Sequence, residues 1–77
     1  MEIFYAKPAI KAISSMDVKT KQRMLTAIES LPAGDVRKLS GYTHSYRLRV
    51  GDWRILFDMQ ENILITNVLP RGDAYKK

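Results

Sequence analysis

Three arginines in residues 46–57 have the spacing of an anion-binding site. Strand residues alternate between the two faces of a sheet, so Arg47 and Arg49 share one face. A Gly-Asp pair follows, and a two-residue turn there would place Arg54 directly opposite Arg49. Opposed like charges disfavour folding, whereas guanidinium groups bind phosphate through two parallel hydrogen bonds. The alternative is a solvated strand face, but three arginines on one face favour anion binding.

Three other side chains could take part in the same chemistry. Arg71 follows the last predicted strand and is either a surface charge or part of a shaped loop. Tyr75 is either a packing residue or an aromatic that stacks on a base. His44, the single histidine, is either an exposed loop residue or a general acid or base. With no cysteine and no second histidine, we expect neither a metal site nor a cofactor.

The composition limits the class of protein. The 77 residues allow one domain, spanning 1–77, with a small core. The net charge of +5 favours a polyanion or an acidic protein as the partner. No apolar run approaches the roughly 20 residues that would span a bilayer, and no secretory segment is recognisable. We therefore expect a cytoplasmic protein that does not associate with membranes.

The hydrophobic pattern predicts an α+β fold. A short strand over 2–6 is followed by a helix over about 8–15 and a second helix capped by Asp17. Residues 32–45 are rich in turn formers and are expected to be irregular. The arginine hairpin and an apolar strand over 63–69 complete the domain. The order β-α-α-β-β-β predicts an antiparallel sheet of about four strands, with the helical hairpin packed on one face.

The same segments resemble a known family. Three stretches carry the likeness, namely Lys38-Leu39-Ser40-Gly41, Tyr46-Arg47-Leu48-Arg49-Val50-Gly51-Asp52-Trp53-Arg54-Ile55-Leu56-Phe57 and Val68-Leu69-Pro70-Arg71-Gly72-Asp73-Ala74-Tyr75-Lys76. Together with the N-terminal strand and helical hairpin, they resemble the RelE/ParE superfamily of type II toxins, and more closely its RelE-like branch. The resemblance covers essentially the whole chain.

The resemblance implies an activity and partners. RelE-like members are metal-independent endoribonucleases that cleave mRNA in the A site of the 70S ribosome. The substrate's own 2′-OH attacks the adjacent phosphate, and translation stops. A cognate antitoxin, usually encoded next to the toxin, silences it, and operator DNA is bound only through the complex of the two proteins.

The resemblance also assigns roles to residues. It makes Arg47, Arg49, Arg54, Arg71 and Tyr75 the catalytic set. The arginines would stabilise charge on the phosphate, and the tyrosine would stack on a base or help to activate the 2′-OH. Additional contacts to RNA are predicted for Lys38, His44 and Lys76. Arginines stand where a well-characterised nuclease of the family has lysines, which leaves the general base unassigned.

Two other functions fit the same resemblance. ParE-like members inhibit DNA gyrase and cleave no RNA. An inactive member would bind only the antitoxin and act in regulation. A gyrase inhibitor would block supercoiling while translation continued at first, and an inactive member would not be toxic when expressed alone.

Overall fold

The computed structural model describes residues 1–41 and 44–70. Within these ranges the chain forms two helices and five strands in the order β-α-α-β-β-β-β. The elements are β1 (Ile3–Tyr5), α1 (Lys7–Ser14), α2 (Val18–Glu29), β2 (Asp35–Lys38), β3 (Ser45–Val50), β4 (Trp53–Met59) and β5 (Ile63–Pro70). No helix in the described residues is long and apolar enough to cross a membrane.

The strands form one sheet in the order β1-β5-β4-β3-β2. Strands β3 to β5 pair antiparallel, as the sequence predicts, and β2 pairs antiparallel to β3, whereas β1 pairs parallel to β5. The α+β class is therefore confirmed, but the sheet is mixed and has five strands. The pairing of β1 joins the two ends of the described chain, and hydrophobic periodicity carries no information about such a long-range contact.

The additional strand is β2, which lies in the segment expected to be irregular. Its four residues contain one apolar side chain, Val36, which pairs with Leu48 of β3. Turn formers such as Gly34 immediately precede it. A strand this short shows too little alternation to be recognised, and it forms because β3 offers a neighbouring edge.

The helices cover one face of the sheet. Pro8 lies in the first turn of α1, where the missing N–H costs nothing. Asp17 caps α2, because its Oδ2 accepts a hydrogen bond from the Thr20 backbone N–H at 3.2 Å. The two helices and the sheet share one buried core. It consists of Ala9, Ile13, Met24, Ile28, Leu48, Ile55, Phe57, Ile63, Ile65 and Val68.

A β-bulge adapts β5 to this core. The pairing with β4 shifts between Leu56 and Phe57, so that Thr66 is an extra residue on β5. The Thr66 hydroxyl donates to the Leu56 carbonyl oxygen at 3.0 Å. Ile65 and Val68, three residues apart, can therefore both be buried in the core. The other face of the sheet lies opposite the helices and carries the arginines.

Candidate anion-binding site

The β3–β4 hairpin has the predicted register. Val50 pairs with Trp53, Arg49 with Arg54, and Arg47 with Leu56. Gly51 begins the two-residue turn with a φ of +58°, a value that a type II′ turn requires at this position. Leu48 and Ile55 pair between the row of Arg47 and the row of Arg49, and both are core residues. Alternation therefore places the three arginines together on the face opposite the helices.

Two of these arginines are buried. Arg47 and Arg54 each expose 7% of their surface, whereas Arg49 is exposed. Arginine is almost never this buried without a partner, because removing a charge from water is costly. Arg54 Nη1 donates to the Trp53 carbonyl oxygen at 3.2 Å, while its buried Nε has no hydrogen-bond partner within the described part of the chain. The hairpin thus presents a guanidinium with an unused donor.

Strand β2 brings a fourth arginine to the same face. Arg37 pairs directly with Arg47, and Asp35 pairs with Arg49. The prediction missed Arg37 because β2 itself was not recognised. Asp35 and Arg37 do flank the apolar Val36, but so short an alternation is not enough to predict a strand. The face therefore holds four arginines in two neighbouring rows, with one aspartate beside them.

Nearby polar groups have other partners. Asp58 follows Arg54 on the same face of β4, where its carboxylate could pair with a basic residue. Its Oδ1 instead accepts a hydrogen bond from the Ser45 hydroxyl at 2.7 Å. Asn67, in the row of Leu56, accepts from the Val68 backbone N–H at 2.9 Å. Neither contact neutralises the arginines.

The other predicted site residues are distributed differently. Lys38 pairs with Tyr46, and this row lies on the opposite face of the sheet from Arg47. His44 is exposed, and its carbonyl oxygen accepts from the Met59 backbone N–H at 2.9 Å. The roles of both side chains stay predictions. Three further predicted residues lie outside the described ranges, namely Arg71, Tyr75 and Lys76.

Arg23, in the helical layer, lies near the hairpin turn. A Cβ atom added to Gly51 would lie 2.6 Å from Arg23 Nη2, so the Arg23 guanidinium rests against the hairpin turn. Arg23 is exposed and belongs to α2. Sequence periodicity places it on the polar side of that helix but does not show that it reaches β3 and β4.

Aromatic and titratable groups on the helical side do not extend the site. Tyr46 and Phe57 stack with ring centroids 5.6 Å apart, in a row that faces the core. Burial, together with the negative charge of Glu29, raises the pKa of the Tyr5 phenol above its ordinary value of 10.0. Among the described residues, no three histidine or carboxylate side chains form a group that could hold a metal ion.

The arrangement can stabilise negative charge. Arg47 and Arg54 are held by the sheet in a partly desolvated position, where each ion contact is stronger than in water. Planar guanidinium groups match the oxygen atoms of phosphate. Among the described residues the arginine face carries two carboxylates, Asp35 beside Arg49 and Asp58, which accepts a hydrogen bond from Ser45, and the general base stays unassigned. The site is therefore suited to binding a phosphate and stabilising charge that develops on it.

Comparisons with known proteins agree with this fold. No protein-family model matches the chain. The chain is 27% identical to Toxin RelE3 of Methanocaldococcus jannaschii over 84 aligned positions, which cover 97% of this chain and 96% of that toxin.

Solved structures extend the likeness. A chain of the RelB–RelE antitoxin–toxin complex from Methanococcus jannaschii is 26% identical, with a TM-score of 0.78 and coverage of 94% of each chain. A chain of the RelE–RelB complex from Pyrococcus horikoshii is 29% identical, with a TM-score of 0.75 and coverage of 92% of this chain and 94% of that one. The isolated RelE toxin of E. coli, at 12% identity and a TM-score of 0.70, shares the fold, covering 92% of this chain and 84% of that one.

Proposed function

We propose that this chain, which belongs to the RelE superfamily of toxins, is an endoribonuclease that cleaves mRNA on translating ribosomes. It is the toxin of a type II toxin–antitoxin system, and its place of action is the cytoplasm. The buried arginine pair carries the proposal. Arg47 and Arg54 each expose only 7% of their surface, and Arg54 Nε has no hydrogen-bond partner in the described part of the chain, so this incompletely paired guanidinium favours a nearby anion.

The reaction proceeds by internal transfer within the RNA. The 2′-oxygen forms a bond to the adjacent phosphorus while the bond from phosphorus to the 5′-oxygen of the next nucleotide breaks. The products are a 2′,3′-cyclic phosphate and a free 5′-hydroxyl group. The 2′-OH loses a proton to a base, and the departing 5′-oxygen gains one. No metal, oxidant or reductant enters this balance.

The arginines act on the charge of the transition state. Negative charge builds on the two non-bridging oxygens as the phosphorus becomes five-coordinate. Arg47 and Arg54 stabilise that charge. Because β3 and β4 fix their positions, little reorganisation is needed during the reaction. Loss of one such preorganised donor costs roughly 10²- to 10³-fold in rate in other enzymes. Arg49, Arg71 and Tyr75 are proposed to complete the catalytic set.

The ribosome supplies what the domain lacks. In-line attack requires the 2′-oxygen, the phosphorus and the departing oxygen to be aligned, and holding the reactants in place contributes much of an enzyme's rate. An mRNA fixed in the A site is already held on both sides of the scissile bond. A small basic domain then needs only to enter the A site, bind the phosphate and assist the proton transfers.

An antitoxin is the expected protein partner. The two similar archaeal structures are complexes of RelE with RelB. In this chain the arginine face offers positive potential that an acidic segment would cover, which speeds association and blocks the phosphate site. Operator DNA would be bound through that complex. Complex assembly should weaken as salt is added.

Expression in growing cells tests the nuclease. Wild type, Arg54→Ala and the charge-matched control Lys11→Ala are induced without antitoxin, and mRNA 5′ ends are mapped. Lys11 is an exposed residue of α1, on the helical side. Wild type and the control should arrest growth with codon-phased cuts, whereas Arg54→Ala should not. Growth arrest without such cuts, accompanied by lost supercoiling, would replace the nuclease with a gyrase inhibitor.

A further inference from the structure

The ladder between β2 and β3 contains a second pair of opposed arginines. Arg37 lies directly across from Arg47, one same-face row away from the pair formed by Arg49 and Arg54. Val36, between Asp35 and Arg37, pairs with the buried Leu48, which fixes the orientation of β2. Arg37 therefore projects on the arginine face and not toward the helices.

The two rows differ in their charge balance. In the row of Arg49 and Arg54, Asp35 stands beside Arg49 and offsets part of the charge. In the other row, Arg47 has Arg37 on one side and Leu56 on the other. Directly opposed like charges destabilise a ladder unless something negative lies between or above them. The row of Arg37 and Arg47 thus has a stronger need for an anion.

The spacing of the rows suits two successive phosphates. Same-face residues of one strand are about 6.5 Å apart, since each residue rises 3.2–3.4 Å. Arg54 is buried on β4, whereas Arg37 is exposed on the edge strand β2. A polyanion running diagonally from Arg54 on β4 past Arg47 on β3 to Arg37 on β2 would meet a desolvated phosphate position first and a solvated one next. A single phosphate held by Arg47 and Arg54 would leave Arg37 unused.

We infer that Arg37 binds the phosphate adjacent to the scissile one in a single-stranded RNA, next to Arg47, which with Arg54 holds the scissile phosphate. This inference rests on the proposed function and assigns a second subsite to it. Arg37 contributes binding of the strand and does not contact the reacting phosphate. Its removal should therefore weaken complex formation without slowing the chemical step once the complex has formed.

Single-turnover cleavage on programmed 70S ribosomes tests this subsite. The mRNA has a mapped cleavage position, and the toxin concentration is varied. Arg37→Ala should raise the half-saturating concentration roughly fivefold, the effect of one partly exposed ion contact, with the saturating rate unchanged. Lys11→Ala should match wild type. Circular dichroism melting of each variant verifies that the domain is folded.

A neutral phosphate substitute identifies the contact. A methylphosphonate is placed in the mRNA on either side of the cleaved position. At one of these sites it should raise the half-saturating concentration of wild type as much as Arg37→Ala does. It should not raise that of the Arg37→Ala variant any further. Absence of cleavage by wild type would overturn the nuclease itself. Two results would overturn the second subsite alone, provided that wild type cleaves normally. One is an Arg37→Ala variant with the half-saturating concentration of wild type. The other is that the methylphosphonate at either position raises the half-saturating concentration of Arg37→Ala as much as that of wild type.

Discussion

Arg49 and Arg54 face each other across the β3–β4 ladder, yet only Arg54 is buried. Arg49 has Asp35 on its other side, while Arg54 has Leu69 there. The two guanidinium groups therefore share a row but not an environment. Arg49 keeps water and an acidic neighbour, whereas Arg54 has lost most of its water, and its Nε has no hydrogen-bond partner in residues 1–41 and 44–70. In the free protein, Arg54 is thus retained at a cost in stability.

Replacing Arg54 by Met should stabilise the free domain. Methionine fills similar space without a charge, and removing an incompletely satisfied buried ion is often neutral or favourable, here by about 1 kcal/mol. Arg49→Met should change the free energy of unfolding less, because Arg49 is already hydrated. Urea denaturation at neutral pH measures both. A larger loss of stability for Arg54→Met than for Arg49→Met would mean that Arg54 supports the fold.

A bound polyanion should make wild type more stable than Arg54→Met. Inorganic triphosphate, used as a probe, binds the folded arginine face and should raise the melting temperature of wild type. A ligand at 100 times its dissociation constant stabilises the folded state by about 2.7 kcal/mol. Arg54→Met and Arg47→Met should gain much less, and added salt should reduce the gain in wild type. An equal gain in all three proteins would indicate binding elsewhere.

The sequence predicts the arginine hairpin well because its information is local. A two-residue turn leaves one register, and that register fixes which residues oppose each other. Arg47, Arg49 and Arg54 therefore fell on one face as expected. The alternation of residues along a strand predicts the face on which a side chain lies, but not how deeply that side chain is buried. The burial of Arg47 and Arg54 could be learned only from the folded chain.

Other parts of the site depend on long-range contacts. Arg37 joins the face because β2 pairs with β3, and Arg23 reaches the hairpin turn from a helix. Neither contact has a local pattern, since β2 is short and Arg23 lies on a helix remote in sequence. The helices themselves were predictable from the cap at Asp17 and the apolar spacing of residues such as Met24 and Ile28.

Gly34, just before β2, should tolerate alanine less well than Gly51. Both have positive φ values, of +114° and +58°, at which a side chain is strained. A Cβ on Gly34 would lie 2.9 Å from Leu48 Cδ1, in the buried core, whereas one on Gly51 would meet the movable end of Arg23. We expect Gly34→Ala to cost about 2–4 kcal/mol and Gly51→Ala about 1 kcal/mol in urea denaturation. Equal losses would show that Leu48 can move aside.

Asp17 makes the start of α2 sensitive to acid. Its Oδ1 accepts a hydrogen bond from the Thr20 hydroxyl at 2.6 Å, and its Oδ2 accepts one from the Thr20 N–H at 3.2 Å. These bonds favour the ionised carboxylate and lower the pKa of Asp17 below the ordinary value of 3.8. The contribution of this cap to stability is therefore complete at neutral pH.

Acid should remove that contribution, and an amide should make it independent of pH. In the unfolded chain Asp17 takes up its proton near 3.8, and in the folded domain at a lower pH, so stability falls as the pH drops through this window. Asp17→Asn keeps a capping oxygen but does not titrate, and Asp17→Ala loses the cap at every pH. Melting temperatures from pH 7 to pH 2 measure this. The difference between wild type and Asp17→Asn should shrink or reverse below pH 4, and a constant difference would show that the charge of Asp17 has no part in capping.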